Sequence, residues 1–231
     1  MSNVLCTAVG VGAPVTSIAA AYPVGTVAGD VLIAAVAATV PAVTSDPIIQ
    51  TGSDPWVQLA QTPTGTHITQ FAVFSLVVPV GSPLIATFST VQAAIYAVNM
   101  AGYTNVNPTT PINAQNPGIN ISFGAPFIVM TAPSILTTIQ NTVLVYCVSA
   151  DAHGGQFIDL QTPPTGMTLE QSGESTFGVS LSENSEVAIH DELFAPIGLT
   201  GPRTQIINRI VGPFAITCFN FMCALTPICL S

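Results

Sequence analysis

The chain has 231 residues, of which 49% are hydrophobic and only 6% are charged, and its formal net charge is −9. Its only lysine or arginine residues are Arg203 and Arg209, too few for a nucleic-acid binder or a polybasic membrane-surface protein. High hydrophobicity with so few charges also excludes an intrinsically disordered chain. We therefore expect a folded protein that binds neither nucleic acid nor a membrane.

Proline (19 residues) and glycine (18 residues) interrupt the sequence every few positions, and helical periodicity is almost absent. The short runs between them are rich in Val, Ile, Thr and Phe, which is typical of an antiparallel β-sandwich or jelly roll. In chain order, the predicted strands are Val15–Ala20, Val31–Val40, Trp56–Gln61, His67–Val77, Leu84–Ser89, Ala93–Tyr103, Ile119–Phe123, Ile128–Met130, Thr142–Ala150, Met167–Gln171, Thr176–Leu181, Val187–Phe194 and Phe214–Leu225.

The strongest candidate for a transmembrane helix is the uncharged segment Ile210–Leu230. Gly212, Pro213 and Pro227 interrupt it, and β-branched and aromatic residues are frequent, so a strand is the better prediction. The N-terminus lacks the basic region of a secretory signal. A soluble protein is therefore predicted.

The five cysteines show no C-x-x-C pair, and no histidine lies near the last three. Their odd number argues against a complete disulfide framework, and their spacing gives poor support for zinc. We expect free, buried thiols and synthesis in a reducing cytoplasm, and we expect no metal and no cofactor. These cysteines are Cys6, Cys147, Cys218, Cys223 and Cys229.

The two halves of the chain resemble each other. Asp30–Val36 is similar to Asn141–Cys147, and Trp56 and Met167 follow at the same distance in each half. This pattern predicts an internal pseudo-repeat of about 110 residues. The preferred interpretation is a single β-sandwich domain over residues 1–231, with halves of about 1–104 and 119–231 joined by a Pro/Asn-rich segment, 105–118. Two tandem domains are the alternative.

Several segments, taken in order, resemble a group of β-sandwich modules found in bacteriophage structural proteins of the decoration and fibre type. The resemblance covers most of the chain, and the residues that match are Gly29-Asp30-Val31-Leu32-Ile33-Ala34, Trp56-x-x-Leu59, Phe71–Val77, Gly81-Ser82-Pro83, Ile95–Tyr103, Pro111-Ile112-Asn113-Ala114, Asn141–Val145, Pro164–Thr168 and Gly201-Pro202-Arg203. Asn99 and Asn113 stand where the modules usually have Asp. The resemblance implies a virion component and transfers no catalytic residue.

No residue pattern indicates catalysis. A metal site from His153, Asp151 and Asp159 matches no known spacing, and no Gly-x-Ser-x-Gly nucleophile elbow is present. His67 lies in a predicted strand, and His190-Asp191-Glu192 is predicted to cap a strand or to face solvent. We expect that the protein is not an enzyme.

Three residues are candidates for contact with other molecules: Trp56, Arg203 and Arg209. Trp56, the sole tryptophan, is either a sugar-stacking platform or a core plug, and its counterpart Met167 favours the plug. The two arginines pair either with acids of a neighbouring subunit or, within the chain, with Glu183, Glu186 or Asp191.

The sequence therefore predicts a virion structural protein, assembled in the host cytoplasm, whose partners are capsid or tail proteins. A capsid decoration (cement) subunit or a small fibre or spike component is the leading hypothesis, with a homo-oligomer (trimer or dimer) expected because so few surface charges oppose burial. The alternative is a carbohydrate-binding adhesin module that uses Trp56, Tyr22 or Tyr103.

Overall fold

The computed structural model describes residues 2–10, 13–40, 46–63, 69–116, 118–124, 127–153, 160, 162–176, 183–208 and 216–228. Within these ranges the chain forms β-strands and no helix, and neighbouring strands pair antiparallel, which confirms the all-β prediction. Accordingly, this part of the chain has no helix long and apolar enough to cross a bilayer.

The strands follow one another along the whole chain. They are β1 (Ser2–Gly10), β2 (Val15–Ala21), β3 (Val31–Thr39), β4 (Ile49–Gln50), β5 (Val57–Gln61), β6 (Thr69–Val77), β7 (Ile85–Thr104), β8 (Ile112–Gln115), β9 (Asn120–Gly124), β10 (Phe127–Ala132), β11 (Leu136–Thr137), β12 (Thr142–His153), β13 (Thr168–Thr176), β14 (Glu183–Phe194), β15 (Gly198–Leu199), β16 (Arg203–Asn208) and β17 (Ile216–Leu225). We call β1–β7 the first half and β8–β17 the second half.

Most predicted strands agree with this list within a few residues. The prediction of a strand in the C-terminal apolar segment is confirmed by β17, while residues 210–215 lie outside the described ranges. Most of the predicted strand Thr176–Leu181 also lies outside them. The strands β1 and β16 were not predicted from the sequence.

The first large sheet has the order β1-β7-β3-β6-β5. Its strand β7 is 20 residues long: its last part pairs with β1 and β3, whereas its first part pairs with β2 and β4 in a smaller outer layer. The prediction of two separate strands here was wrong. No proline or glycine stands between Ser89 and Ala93, so the strand continues from one layer into the next.

The second large sheet has the order β13-β14-β12-β17-β8, with β9 also paired to β17. The pair β10–β16 and the short pair β11–β15 complete the second half. The segments aligned by the predicted repeat, β3 and β12, each lie inside their sheet, flanked by β6 and β7 and by β14 and β17. The sequence repeat, the jelly-roll assignment and the single-domain interpretation stay predictions.

Side-chain alternation divides β3 between two cores, because successive residues of a strand point to opposite faces of the sheet. Val31, Ile33 and Ala35 pack against the second large sheet, while Leu32 and Ala34 pack against the layer of β2 and β4. The whole strand is buried, as its apolar sequence predicts. A third core lies in the second half, between its large sheet and β10–β16.

The two large sheets meet face to face along a seam. Phe71 stacks on Phe219 there, with ring centroids 6.3 Å apart, and the Asn99 amide donates to the Val187 carbonyl oxygen at 3.3 Å. Four residues further along β7, Tyr103 hydrogen-bonds Asp191, which lies four residues further along β14. The strands β7 and β14 therefore run in the same direction.

It follows that β3 and β12, which are antiparallel to β7 and β14, begin at the same end of the molecule. Backbone hydrogen bonds at this end join the segments that follow β7 and β17: the Asn107 amide donates to the Thr226 carbonyl at 2.8 Å, and the Ile228 amide donates to the Asn105 carbonyl at 3.0 Å. The two halves are thus fixed to each other at one end.

Candidate functional site

The end at which β3 and β12 begin gathers the predicted contact residues that the structure describes. In the first half it includes the turns at 22–30, 51–56 and 78–84, and in the second half the turns at 133–141, 162–167 and 195–202. The segments 105–111 and 226–228 lie at the same end. Trp56 precedes β5 here, and Arg203 begins β16. Arg209, the third candidate, lies outside the described residues.

Three of these turns have the sequence Pro–aliphatic–Gly: Pro23-Val24-Gly25, Pro79-Val80-Gly81 and Pro196-Ile197-Gly198. The first two are closed by hydrogen bonds from Thr26 to the Pro23 carbonyl and from Ser82 to the Pro79 carbonyl. Gly25 (φ 91°) and Gly81 (φ 78°) adopt the left-handed conformation that the third position of a type II turn requires.

In such a turn the residue between proline and glycine lies at the tip. Val24 is 76% exposed and Val80 is 92% exposed, and Ile197 is also exposed. Turn tips usually hold Asn, Asp, Ser or Gly, because these residues hydrogen-bond locally or tolerate the turn geometry. Aliphatic residues at the tips of these turns are therefore a departure from the usual turn composition.

Further exposed aliphatic side chains lie at the same end of the molecule. Leu136 and Leu199 stand directly opposite each other in the pair β11–β15, and both are exposed. Val27, also exposed, lies between Val24 and the start of β3. We call this surface the apolar end and define it by six residues: Val24, Val27, Val80, Leu136, Ile197 and Leu199.

A buried carboxyl holds the first-half turns together. Asp54, only 7% exposed, accepts hydrogen bonds from the Tyr22 hydroxyl and the Ser82 hydroxyl, both at 2.5 Å. The Ser82 oxygen in turn accepts from the Leu84 amide at 3.1 Å. Burial, reinforced by the bond to Asp54, raises the pKa of Tyr22 well above its ordinary value, so the phenol remains a donor.

Trp56 packs beside this network. Its ring meets Tyr22 and Phe88 edge-on, with both centroid distances 5.9 Å, and it contacts the core between the first large sheet and its outer layer. The side chain is half-buried. This placement agrees with a packing role for Trp56. The sequence suggested that role because Met167 is its counterpart in the second half, and Met167 is buried too. Tyr22 and Tyr103, the other aromatic residues considered for ligand contact, are both buried.

Arg203 is paired within the chain. Its guanidinium forms an ion pair with Glu192, in which Nε donates to Oε1 at 3.0 Å, and its Nη1 donates to the Thr200 carbonyl at 2.8 Å. The partner is therefore none of the three acids considered from sequence. Only small fractions of the two side chains are exposed, 14% for Arg203 and 11% for Glu192.

An acid pair lies where the seam reaches this end. Glu170 is the extra residue of a β-bulge between Leu169 and Gln171, and it neighbours Asp191 of β14. Burial and the nearby Glu170 raise the pKa of Asp191 to about 8, against the opposing effect of the hydrogen bond from Tyr103. The charged form of Asp191 is therefore disfavoured.

The remaining carboxyls of the chain have a different distribution. At the apolar end Asp30 and Asp54 are buried and hydrogen-bonded, and Glu192 is paired with Arg203. Toward the opposite end, the strands carry Asp151, Glu174 and Glu183. The exposed aliphatic tips are thus uncharged, although Asp30, Asp54 and Glu170 lie at the same end and the protein as a whole has a net charge of −9.

His190 lies in the core of the second half, so the prediction that it caps a strand or faces solvent was wrong. It packs against Tyr146, with ring centroids 5.9 Å apart, and near the Gln205 amide, whose Nε2 is 3.5 Å from Nε2 of the imidazole. Burial lowers the pKa of His190 to about 4. It is fully buried because β14 is covered on both faces here, with Val187 and Ile189 in the core of the seam and Ala188 in the third core.

Three of the five cysteines, Cys147, Cys218 and Cys223, are free and buried, as predicted. Burial raises the pKa of Cys223 to about 12, so its thiol is protonated and unreactive at neutral pH. Nowhere in the described ranges do three or more His, Cys, Asp or Glu side chains form a group that could hold a metal. The structure does not describe the side chains of His67, His153 and Asp159.

Comparison with protein-family models, with curated proteins and with solved structures finds no match to this chain.

The residues that sequence reasoning missed are those of the apolar end. A usable signal was present: Val24, Val80 and Ile197 each stand between proline and glycine, where a polar residue is usual. Recognising that these turns share one end of the molecule required the strand pairing, which links positions far apart in sequence.

Proposed function

We propose that the protein is a virion structural protein of a bacteriophage, either a capsid decoration (cement) subunit or a small fibre or spike component. It acts by interlocking with neighbouring subunits, with capsid or tail proteins as partners, and it assembles in the host cytoplasm. No catalytic step forms part of this proposal. The phage assignment is supported by the resemblance of the sequence segments set out above.

The observation that favours a structural role is the apolar end. Exposed aliphatic side chains at Val24, Val80 and Leu199 stand on turns held by Asp54 and by the Glu192–Arg203 ion pair, so the surface is both apolar and ordered. Such a surface suits a permanent contact better than a transient one, because permanent interfaces are more apolar. The antiparallel sheets behind it provide a stiff support.

The test is to locate the chain on intact phage particles. We expect washed particles to contain it at many copies each, in a fixed ratio to a capsid or tail protein, as measured by quantitative mass spectrometry. Cryo-electron microscopy should then place the sandwich against a neighbouring subunit. Absence from washed particles, or a variable amount removed by washing, would refute the proposal.

The second candidate is a carbohydrate-binding adhesin module that binds sugar through Trp56, whose ring is only half-buried and so keeps part of its surface for stacking. Tyr22 and Asp54 beside it are buried and hydrogen-bonded to each other, so they do not belong to such a site. Glycan-array binding that is lost in Trp56→Ala, with the circular dichroism spectrum unchanged, would favour this candidate. Leu136→Ala is the matched control, because Leu136 lies at the same end in the other half.

A further inference from the structure

We propose that the apolar end is the contact surface between two copies of this chain, which meet end to end about a two-fold axis. This inference deepens the proposed function, because it names a second copy as the partner at one particular surface. Two properties of this surface support the inference, namely its area and its composition in the two halves.

The area is sufficient for a stable contact. The six side chains that define the apolar end are each more than half exposed, from 57% for Ile197 to 92% for Val80. Transfer energies for Val, Leu and Ile imply that together they offer on the order of 250–500 Å² of apolar surface. One partner in a standard interface contributes roughly 450 Å² of apolar surface, so the two values are comparable.

The surface also fits itself. The first half contributes Val24, Val27 and Val80, and the second half contributes Leu136, Ile197 and Leu199, so each side of the seam presents three aliphatic residues. In a two-fold contact, the three aliphatic residues of each half therefore face three aliphatic residues of the other copy. This holds whether like halves or unlike halves meet. None of the six is aromatic or basic, which argues against a lipid surface as the occupant.

The test compares self-association of the wild-type protein and of four variants by sedimentation velocity, from micromolar to submillimolar concentration. Leu199→Asp and Val80→Asp place a charge in the proposed contact. Val91→Asp is the matched control, since Val91 is 77% exposed but lies at the opposite end, next to Gln92, whose amide donates to Asp46. Circular dichroism and thermal unfolding check that each variant is folded.

We expect a wild-type dimer whose association constant falls about a hundredfold or more in Leu199→Asp and in Val80→Asp, because each substitution occurs twice in a two-fold contact. Leu199→Ser, which removes apolar area without adding charge, should weaken it about tenfold. Val91→Asp should remain within about twofold of wild type. A wild-type monomer throughout, a trimer, or association unchanged by Leu199→Asp and Val80→Asp would overturn the inference.

These outcomes are separable from those of the particle experiment. A dimer that depends on Leu199, formed by a chain that is absent from washed particles, supports this inference and refutes the proposed function. A chain that is monomeric alone but present in particles at a fixed ratio refutes this inference and supports the proposed function.

Discussion

Acidification should destabilise the protein through His190. The imidazole is fully buried, and its pKa falls from the ordinary value of 6.5 to about 4 in the folded chain. Between these pH values the unfolded chain binds a proton at this residue and the folded chain does not, so stability decreases as the pH falls from 6.5 toward 4. Each factor of ten in proton affinity is worth about 1.4 kcal/mol, which gives a loss of about 3 kcal/mol from this residue.

The assay is urea unfolding of the wild-type protein and of His190→Gln at several pH values between 7 and 4. The glutamine retains hydrogen-bonding capacity beside Gln205 but does not titrate. Carboxyl groups contribute to the pH dependence of both proteins, so the quantity to compare is the difference between them. We expect the variant to lose about 3 kcal/mol less than wild type over this range.

One further measurement makes the result decisive. A nuclear magnetic resonance titration should show that the His190 imidazole remains neutral at pH 5. Equal pH dependence in His190→Gln and wild type, or a His190 pKa near 6.5 in the folded protein, would refute the reasoning.

Three other predictions concern the seam and the turns. Because burial beside Glu170 raises the pKa of Asp191 from 3.8 to about 8, its contribution to stability should be lost as the pH rises toward 8, and Asp191→Asn should show a smaller loss in thermal unfolding between pH 5 and pH 9. Tyr22→Phe removes a donor to the buried Asp54 and should cost about 1–3 kcal/mol in urea unfolding, and a cost near zero would show that Asp54 does not depend on this bond. Phe219→Ala should cost about 3–5 kcal/mol, because it leaves a cavity in the seam, and a smaller cost in Phe219→Leu would identify lost packing volume as the cause.

The local architecture was largely predictable from the sequence. The apolar run of β3 predicted a strand covered on both faces, and all nine of its residues are buried. Most strand ends were predicted from the positions of proline and glycine, because these residues interrupt the hydrogen bonds between strands or supply turn conformations. Where neither residue is present, as between Ser89 and Ala93, a predicted boundary was wrong.

Side-chain contacts were less predictable, because they depend on which face of a strand each residue occupies. The sequence suggested Asp191 as a partner of Arg203, but the ion pair is formed by its neighbour Glu192. Adjacent residues of a strand point to opposite faces, so an error of one residue in register selects the wrong acid. The β-bulge at Glu170 changes the alternation within β13 in the same way. The burial of His190 was missed for the same reason. Its neighbours in sequence, Asp191 and Glu192, are acidic, which suggests an exposed position, and only the packing of β14 shows that the histidine is covered.

The long strand β7 has a mechanical consequence. It belongs to the outer layer over its first residues and to the first large sheet over its last ones, so its backbone connects two layers covalently. A pulling force applied at the end that follows Thr104 acts along β7 and loads its many hydrogen bonds to β1 and β3 in shear, all at once. Such an arrangement resists tension better than one in which the bonds open singly, and separation of the outer layer cannot proceed without strain on the sheet beneath it.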